Sequence, residues 1–176
     1  PRSSSAASDV YKRQIFETHF KKQPFLLGNF PFSCDFAVFG QFTQLVGFDP
    51  TPRKIAHEIS PRTVAWVNTL DDRGGLEYQE ENLTLDNLSD SIHDLFKELS
   101  TSYVPTMIEN HRAIGNSDKE WSVDLAGYPW KQKSFPYQAK CLDWIREEFQ
   151  NLDQTNQEKV LNFLTANNCQ ALVEIS

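Results

Sequence analysis

Hydrophobic residues along most of this chain recur at three- and four-residue spacing, which predicts α-helices. The clearest case lies over residues 33–46, where two apolar rows run side by side. The rows consist of Phe36, Phe39, Thr43 and Val46, and of Val38, Phe42 and Leu45. Because the two rows together cover most of the helix circumference, the pattern predicts a buried helix. Gly47 is expected to end it.

Further helices are predicted over residues 15–22, 61–71, 88–110, 137–151 and 155–167. Ser60 and Pro61 form a typical helix start, since proline at the first helical position needs no hydrogen-bond partner for its nitrogen. Pro105 falls inside the helix predicted over 88–110, and we expect it to kink or interrupt that helix.

Residues 121–132 show a different pattern, with strict alternation from Trp121 to Leu125, a turn at Gly127, and a second segment around Trp130. Alternation with a period of two predicts a small β-hairpin. No internal repeat is present in the sequence. The fold class predicted is therefore mainly α, with one small β-hairpin.

The first fourteen residues differ in character from the rest. They contain a Ser/Ala-rich tract and no initiator Met, and residues 4–14 resemble the conceptual translation of a sequencing adapter. We interpret residues 1–14 as a non-native, disordered segment; a natural flexible tail is the alternative. One folded domain is then expected over residues 15–176.

Composition narrows the function classes. The net charge of −7 disfavours binding to a nucleic-acid backbone. No apolar run is long enough for a membrane helix, and the N-terminal residues lack the apolar segment of a secretory signal. Cys34, Cys141 and Cys169 show no paired spacing, which favours a reducing cytoplasm over a disulfide framework. The four histidines are scattered, so no metal site is expected.

Few residues offer catalytic chemistry. Cys34 falls in the first turn of a predicted helix, where the helix dipole could lower the pKa of its thiol; a small buried residue is the alternative. Asp35 could act as a base, but a carboxylate that completes a helix start is commoner. Tyr137 could supply an acid or a hydrogen-bond donor, with Trp130 and Phe135 lining a pocket beside it. The alternative is a rigid connector whose rings fill the core.

Several of these segments resemble the C-terminal, all-helical domain of the glutathione transferase family. The resemblance lies in Pro-Phe-Leu-Leu-Gly at 24–28, Pro31 and the Asp-bearing helix start over 33–42. It continues through 61–66, and residues 135–142 are similar to a bacterial branch with an extended C-terminus. In that family the Asp caps the central helix. One position departs from the pattern: the family has Ser or Thr where this chain has Phe32, so Ser33 is expected to cap alone, with Asp35 helping through the helix dipole.

The resemblance implies a helical bundle that forms the wall of a hydrophobic electrophile pocket, together with domain contacts and a homodimer interface. It also implies a thioredoxin-like domain upstream of this chain, which binds glutathione as cosubstrate and activates its thiol. No catalytic residue is transferred to this chain, which is expected to be inactive alone. The alternatives are a non-enzymatic protein-binding or folding module, and a stand-alone enzyme that uses Tyr137 or Cys34.

Overall fold

A computed structural model describes residues 2–75, 85, 88–125 and 127–174, and shows a mainly helical protein with one small antiparallel sheet. In chain order the elements are α1 (Arg2–His19), α2 (Ser33–Phe42), a π-helical segment (Thr43–Phe48), α3 (Pro50–Ile59), α4 (Pro61–Asp71), α5 (Asp90–Thr101), α6 (Tyr103–Gly115), β1 (Glu120–Leu125), β2 (Tyr128–Lys133), α7 (Pro136–Gln150), α8 (Gln154–Ala166) and a 3₁₀ turn (Gln170–Leu172). Among these described residues, no helix is both long and apolar enough to cross a membrane.

The chain divides into two compact units, residues 1–94 and 95–176, where the sequence predicted one domain over 15–176. Helix α1 begins at Arg2, whereas the sequence predicted a disordered segment over residues 1–14. Its Ser/Ala-rich tract contains no helix breaker and continues directly into a segment whose Ile15 and Phe16 are buried. The non-native origin of residues 1–14 stays a prediction.

The core of unit 1 is built around aromatic contacts between α1 with the residue that follows it, α2 and α4. The ring of Phe20 stacks on Trp66 at 4.7 Å between centroids, and Phe16 meets Phe42 edge-on at 4.9 Å. The buried members of this core are Phe25, Val46, Ala56, Val64, Trp66, Val67 and Leu70. One side of α4 therefore packs into this core.

Helix α2 is not buried on most faces, and that prediction is wrong. Phe36 is 52 % exposed, Leu45 37 % and Phe48 85 %, whereas Val46 is buried. The α-helix continues as a π-helix from Thr43, which changes the angular spacing of the two apolar rows. Only part of the apolar surface meets other helices within the unit. We call Phe36, Leu45 and Phe48 the α2 apolar surface.

Unit 2 confirms the predicted hairpin and the predicted break in the long helix. Strands β1 and β2 pair so that Val123 lies opposite Trp130 and Leu125 opposite Tyr128. Helices α5 and α6 separate at Ser102, which leaves Pro105 in the first turn of α6, where a missing N–H costs little. The buried core consists of Val104, Met107, Leu142, Leu164, Cys169, Leu172 and Val173.

Candidate functional site

Asp35 is the most highly connected residue of the predicted helix-start motif. Its side chain is fully buried at the third position of α2. One carboxylate oxygen accepts a hydrogen bond from the backbone N–H of Leu26 at 2.8 Å, and the other accepts from the N–H of Phe32 at 3.0 Å. The carboxylate thus holds both the preceding loop and the helix start, since buried backbone N–H groups need partners.

Ser33 does not cap the helix. Phe32 occupies the cap position, no side-chain hydrogen bond is made from it, and Ser33 is the exposed first residue of α2. A phenyl ring carries no acceptor, so only the reciprocal half of a capping box is present, from the Asp35 carboxylate to the Phe32 N–H. The expectation that Ser33 caps alone is therefore wrong.

Cys34 is not an activated nucleophile. Burial, with the neighbouring Asp35 carboxylate as a second cause, raises the pKa of its thiol to about 11. The Cys34 Sγ lies 3.8 Å from an Asp35 carboxylate oxygen. The helix dipole was expected to lower this pKa, but desolvation and the adjacent negative charge act more strongly. At neutral pH the thiol stays protonated.

His19 lies in a buried polar cluster that sequence reasoning did not find. Its Nε2–H donates to the carbonyl of Phe25 at 2.9 Å, which leaves Nδ1 to accept from the Ser91 hydroxyl at 2.8 Å. Ser89 lies 3.2 Å from the same nitrogen. Burial lowers the pKa of His19, against the opposing effects of the Phe25 carbonyl and Asp35.

This cluster has the parts of a serine–imidazole pair, because a neutral imidazole can accept a proton from a serine hydroxyl. Both His19 and Ser91 are, however, more than nine-tenths buried. Their hydrogen bonds join α1, the loop at Phe25 and the start of α5. The contacts show a structural role.

The three predicted pocket residues lie at the surface of unit 2. Trp130 is 49 % exposed, Phe135 52 % and Tyr137 59 %. The Tyr137 ring meets Trp144 edge-on at 6.0 Å, and the backbone of Phe135 is held at both its N–H and its carbonyl by Asn110. The connector interpretation expected these rings to fill the core, and none of the three does. Their role in a ligand pocket stays a prediction.

Asn110 fixes the position of this aromatic segment. The residue is fully buried; its Nδ2 donates to the Phe135 carbonyl at 2.9 Å, and its Oδ1 accepts from the Phe135 N–H at 2.7 Å. The same oxygen accepts from the indole N–H of Trp121 at 3.1 Å. One amide therefore joins α6, β1 and the start of α7. A polar residue on the apolar row of a predicted helix is the signal that could have identified it.

An apolar cavity of about 220 Å³ lies beside the α2 apolar surface. Its lining includes Phe16, Phe42 and Leu45, with Lys12 and Arg13 also contributing. Thr63 lines it too, and the Thr63 hydroxyl is buried without a hydrogen-bond partner. A mostly apolar cavity with one polar group is the usual composition of a small-molecule site.

No group of three or more His, Cys, Asp or Glu side chains suited to a metal ion occurs within the described part of the chain. Comparison with protein-family models, with curated proteins and with solved structures gave no match.

Proposed function

We propose that this chain is the helical C-terminal part of a glutathione-transferase-like protein, in which it supplies the apolar wall of the electrophile site and the contacts to a thioredoxin-like domain. The proposal rests on the resemblance of residues 24–42, 61–66 and 135–142 to that family. The mainly helical fold and the buried Asp35 at the start of α2 are compatible with it.

One observation carries the proposal further: the 220 Å³ apolar cavity and the α2 apolar surface share Leu45 and therefore adjoin. A hydrophobic electrophile needs apolar walls, which the cavity offers, with the unpartnered Thr63 hydroxyl available as a hydrogen-bond donor. A second domain would cover the remaining apolar side chains, Phe36 and Phe48.

Thiol activation is assigned to the other domain. Conjugation requires a glutathione thiolate, formed by a donor that lowers the pKa of the thiol. Cys34 cannot serve as an alternative nucleophile at neutral pH, because its own pKa is raised to about 11. The chain alone should therefore give no turnover of glutathione with a chromogenic aryl chloride. Turnover that is lost in Tyr137→Phe would instead indicate a stand-alone enzyme that uses Tyr137.

The test uses the complete coding region, expressed as one protein. Leu45→Ser should destabilise that protein by about 2 kcal/mol if the second domain covers this leucine. Leu152→Ser is the matched control, since Leu152 is also 37 % exposed but lies in unit 2. Equal, small losses in both variants would remove the support that the α2 apolar surface gives to the proposal.

A non-enzymatic binding module is the second candidate, favoured by exposed aromatic side chains in unit 2. These are Tyr128, Trp130, Phe135, Tyr137 and Trp144. Aromatic residues are enriched in protein interfaces. Glutathione binding by the complete protein discriminates the two functions: a transferase-like protein binds it, and a pure binding module does not.

A further inference from the structure

A cleft of about 740 Å³ lies along α6 and α7 in unit 2, and none of its lining residues is used in the proposed function. Its walls come from the C-terminal halves of α6 and α7. The lining residues include Ile108, Asn116, Arg146 and Gln150. This volume falls within the range of sites that hold small organic molecules.

Arg146 is the unusual residue of this cleft. It is only 9 % exposed, and its Nε is fully buried without a hydrogen-bond partner. No salt bridge joins it to any other residue that the structure describes. A buried N–H without a partner costs free energy, because the Arg146 Nε–H has lost its hydrogen bond to water and gained none in return.

The neighbouring charged groups do not supply that partner. Asp143 is bonded to His111, whose Nε2 lies 2.8 Å from its carboxylate, and Arg112 is bonded to Glu109 at 2.7 Å. Glu147 also lines the cleft, but its side chain is exposed and solvated. Arg146 is thus the one buried cation of the lining that lacks a counter-charge among the described residues.

We propose that this cleft binds a small monocarboxylate, whose carboxylate group pairs with the guanidinium of Arg146. A planar guanidinium matches a carboxylate in geometry, with two parallel N–H donors. A single negative charge fits better than a phosphate dianion. Asp143, Glu147 and the C-terminal end of α6 at Gly115 all make the potential around Arg146 more negative. Ile108 offers an apolar wall for the body of the ligand.

The experiment titrates the ¹⁵N-labelled chain with sodium benzoate and follows the Nε–H resonance of Arg146 and the backbone amides of Gly115 and Asn116. We expect saturable shifts with a Kd on the order of 1 mM. Benzamide, a neutral molecule of the same shape, should give none. Arg146→Met should weaken benzoate binding about tenfold or more, because the charge-assisted hydrogen bonds are lost. Lys159→Met should leave it unchanged, since Lys159 is exposed on α8 and does not line the cleft.

Thermal melting shows whether the Arg146→Met variant is folded and gives a second measure of benzoate binding. Arg146→Met should raise Tm in the absence of ligand, because an apolar side chain replaces one whose Nε–H is buried without a partner. Benzoate should raise Tm of the original chain but not of the variant. The proposal is overturned if neither benzoate nor acetate shifts the Arg146 resonance, if benzamide acts like benzoate, or if inorganic phosphate binds more tightly than both carboxylates.

Discussion

The carboxylate of Asp35 accepts a 2.8 Å hydrogen bond from the backbone N–H of Leu26, nine residues earlier in the chain. Leu26 belongs to the loop that joins α1 to α2, and Asp35 lies in the first turn of α2. Phe25, the residue before Leu26, is a core residue that is 1 % exposed. The bond therefore fixes the start of α2 relative to this core residue. One acidic side chain sets both the helix start and the path of the loop.

Replacing Asp35 by Ala should destabilise the chain by about 3 kcal/mol, because the buried N–H of Leu26 and the part-buried N–H of Phe32 lose a charged acceptor. Asp35→Asn should cost less, since the amide oxygen can still accept one of the two bonds. Urea denaturation followed by circular dichroism measures both losses. Ser33→Ala is the control, with an expected change below about 0.5 kcal/mol at this exposed site. A larger loss for Ser33→Ala than for Asp35→Ala would show that the serine is the true cap.

Alkylation of Cys34 by iodoacetamide at pH 8 should be about a hundredfold slower in the folded chain than in urea. The thiolate is the reactive form, and a pKa of about 11 leaves very little of it at that pH. Peptide mapping by mass spectrometry after timed quenching separates Cys34 from Cys141 and Cys169. Rapid labelling of Cys34 in the folded chain would instead indicate an activated thiol and support the hypothesis of a stand-alone enzyme.

Stability should fall as the pH drops below about 6.5, the ordinary pKa of histidine. Burial lowers the pKa of His19 in the folded chain, so His19 is protonated at a higher pH in the unfolded chain than in the folded one. As the pH falls between these two pKa values, the free energy of unfolding decreases. His19→Gln should flatten this part of the profile, whereas the exposed His57→Gln should keep it. The profiles come from urea denaturation between pH 7.5 and 5. Parallel profiles for the original chain and His19→Gln would contradict the assignment.

The isolated chain should bind an apolar dye such as anilinonaphthalene sulfonate, since Phe36, Leu45 and Phe48 are exposed. Phe48→Ser, at the most exposed of these positions, should reduce the dye fluorescence measurably. Tyr11→Ser, at a residue 46 % exposed in the same unit, serves as the control and should change it less. We also expect a helical but marginally stable chain. A cooperative melt without dye binding would argue that the α2 apolar surface is satisfied as it stands.

Local pattern was sufficient to predict most of the elements. The hairpin, the break near Pro105 and the helices predicted over 61–71 and 137–151 follow from alternation, helical spacing and proline placement. These features depend on residues close in sequence, and the structure confirms them. The ends of the predicted elements differ from the structure by about five residues at most, with α1 the exception.

Contacts between distant residues could not be predicted in this way. His19 and Ser91 are 72 residues apart, and no local pattern relates them. The pattern on α2 indicated burial but could not show how much of that surface neighbouring helices would cover. Arg146 lies four residues after Leu142 and three before Phe149, on the inward row of α7. A charged residue on an apolar row was the available signal for it.

The most direct test of the proposed function is to determine the source DNA sequence upstream of the codon for Ile15. We expect an open reading frame that continues upstream into a thioredoxin-like half, with an early Tyr, Ser or Cys to activate glutathione. A start codon immediately before Ile15 would contradict it and leave the binding module as the better function.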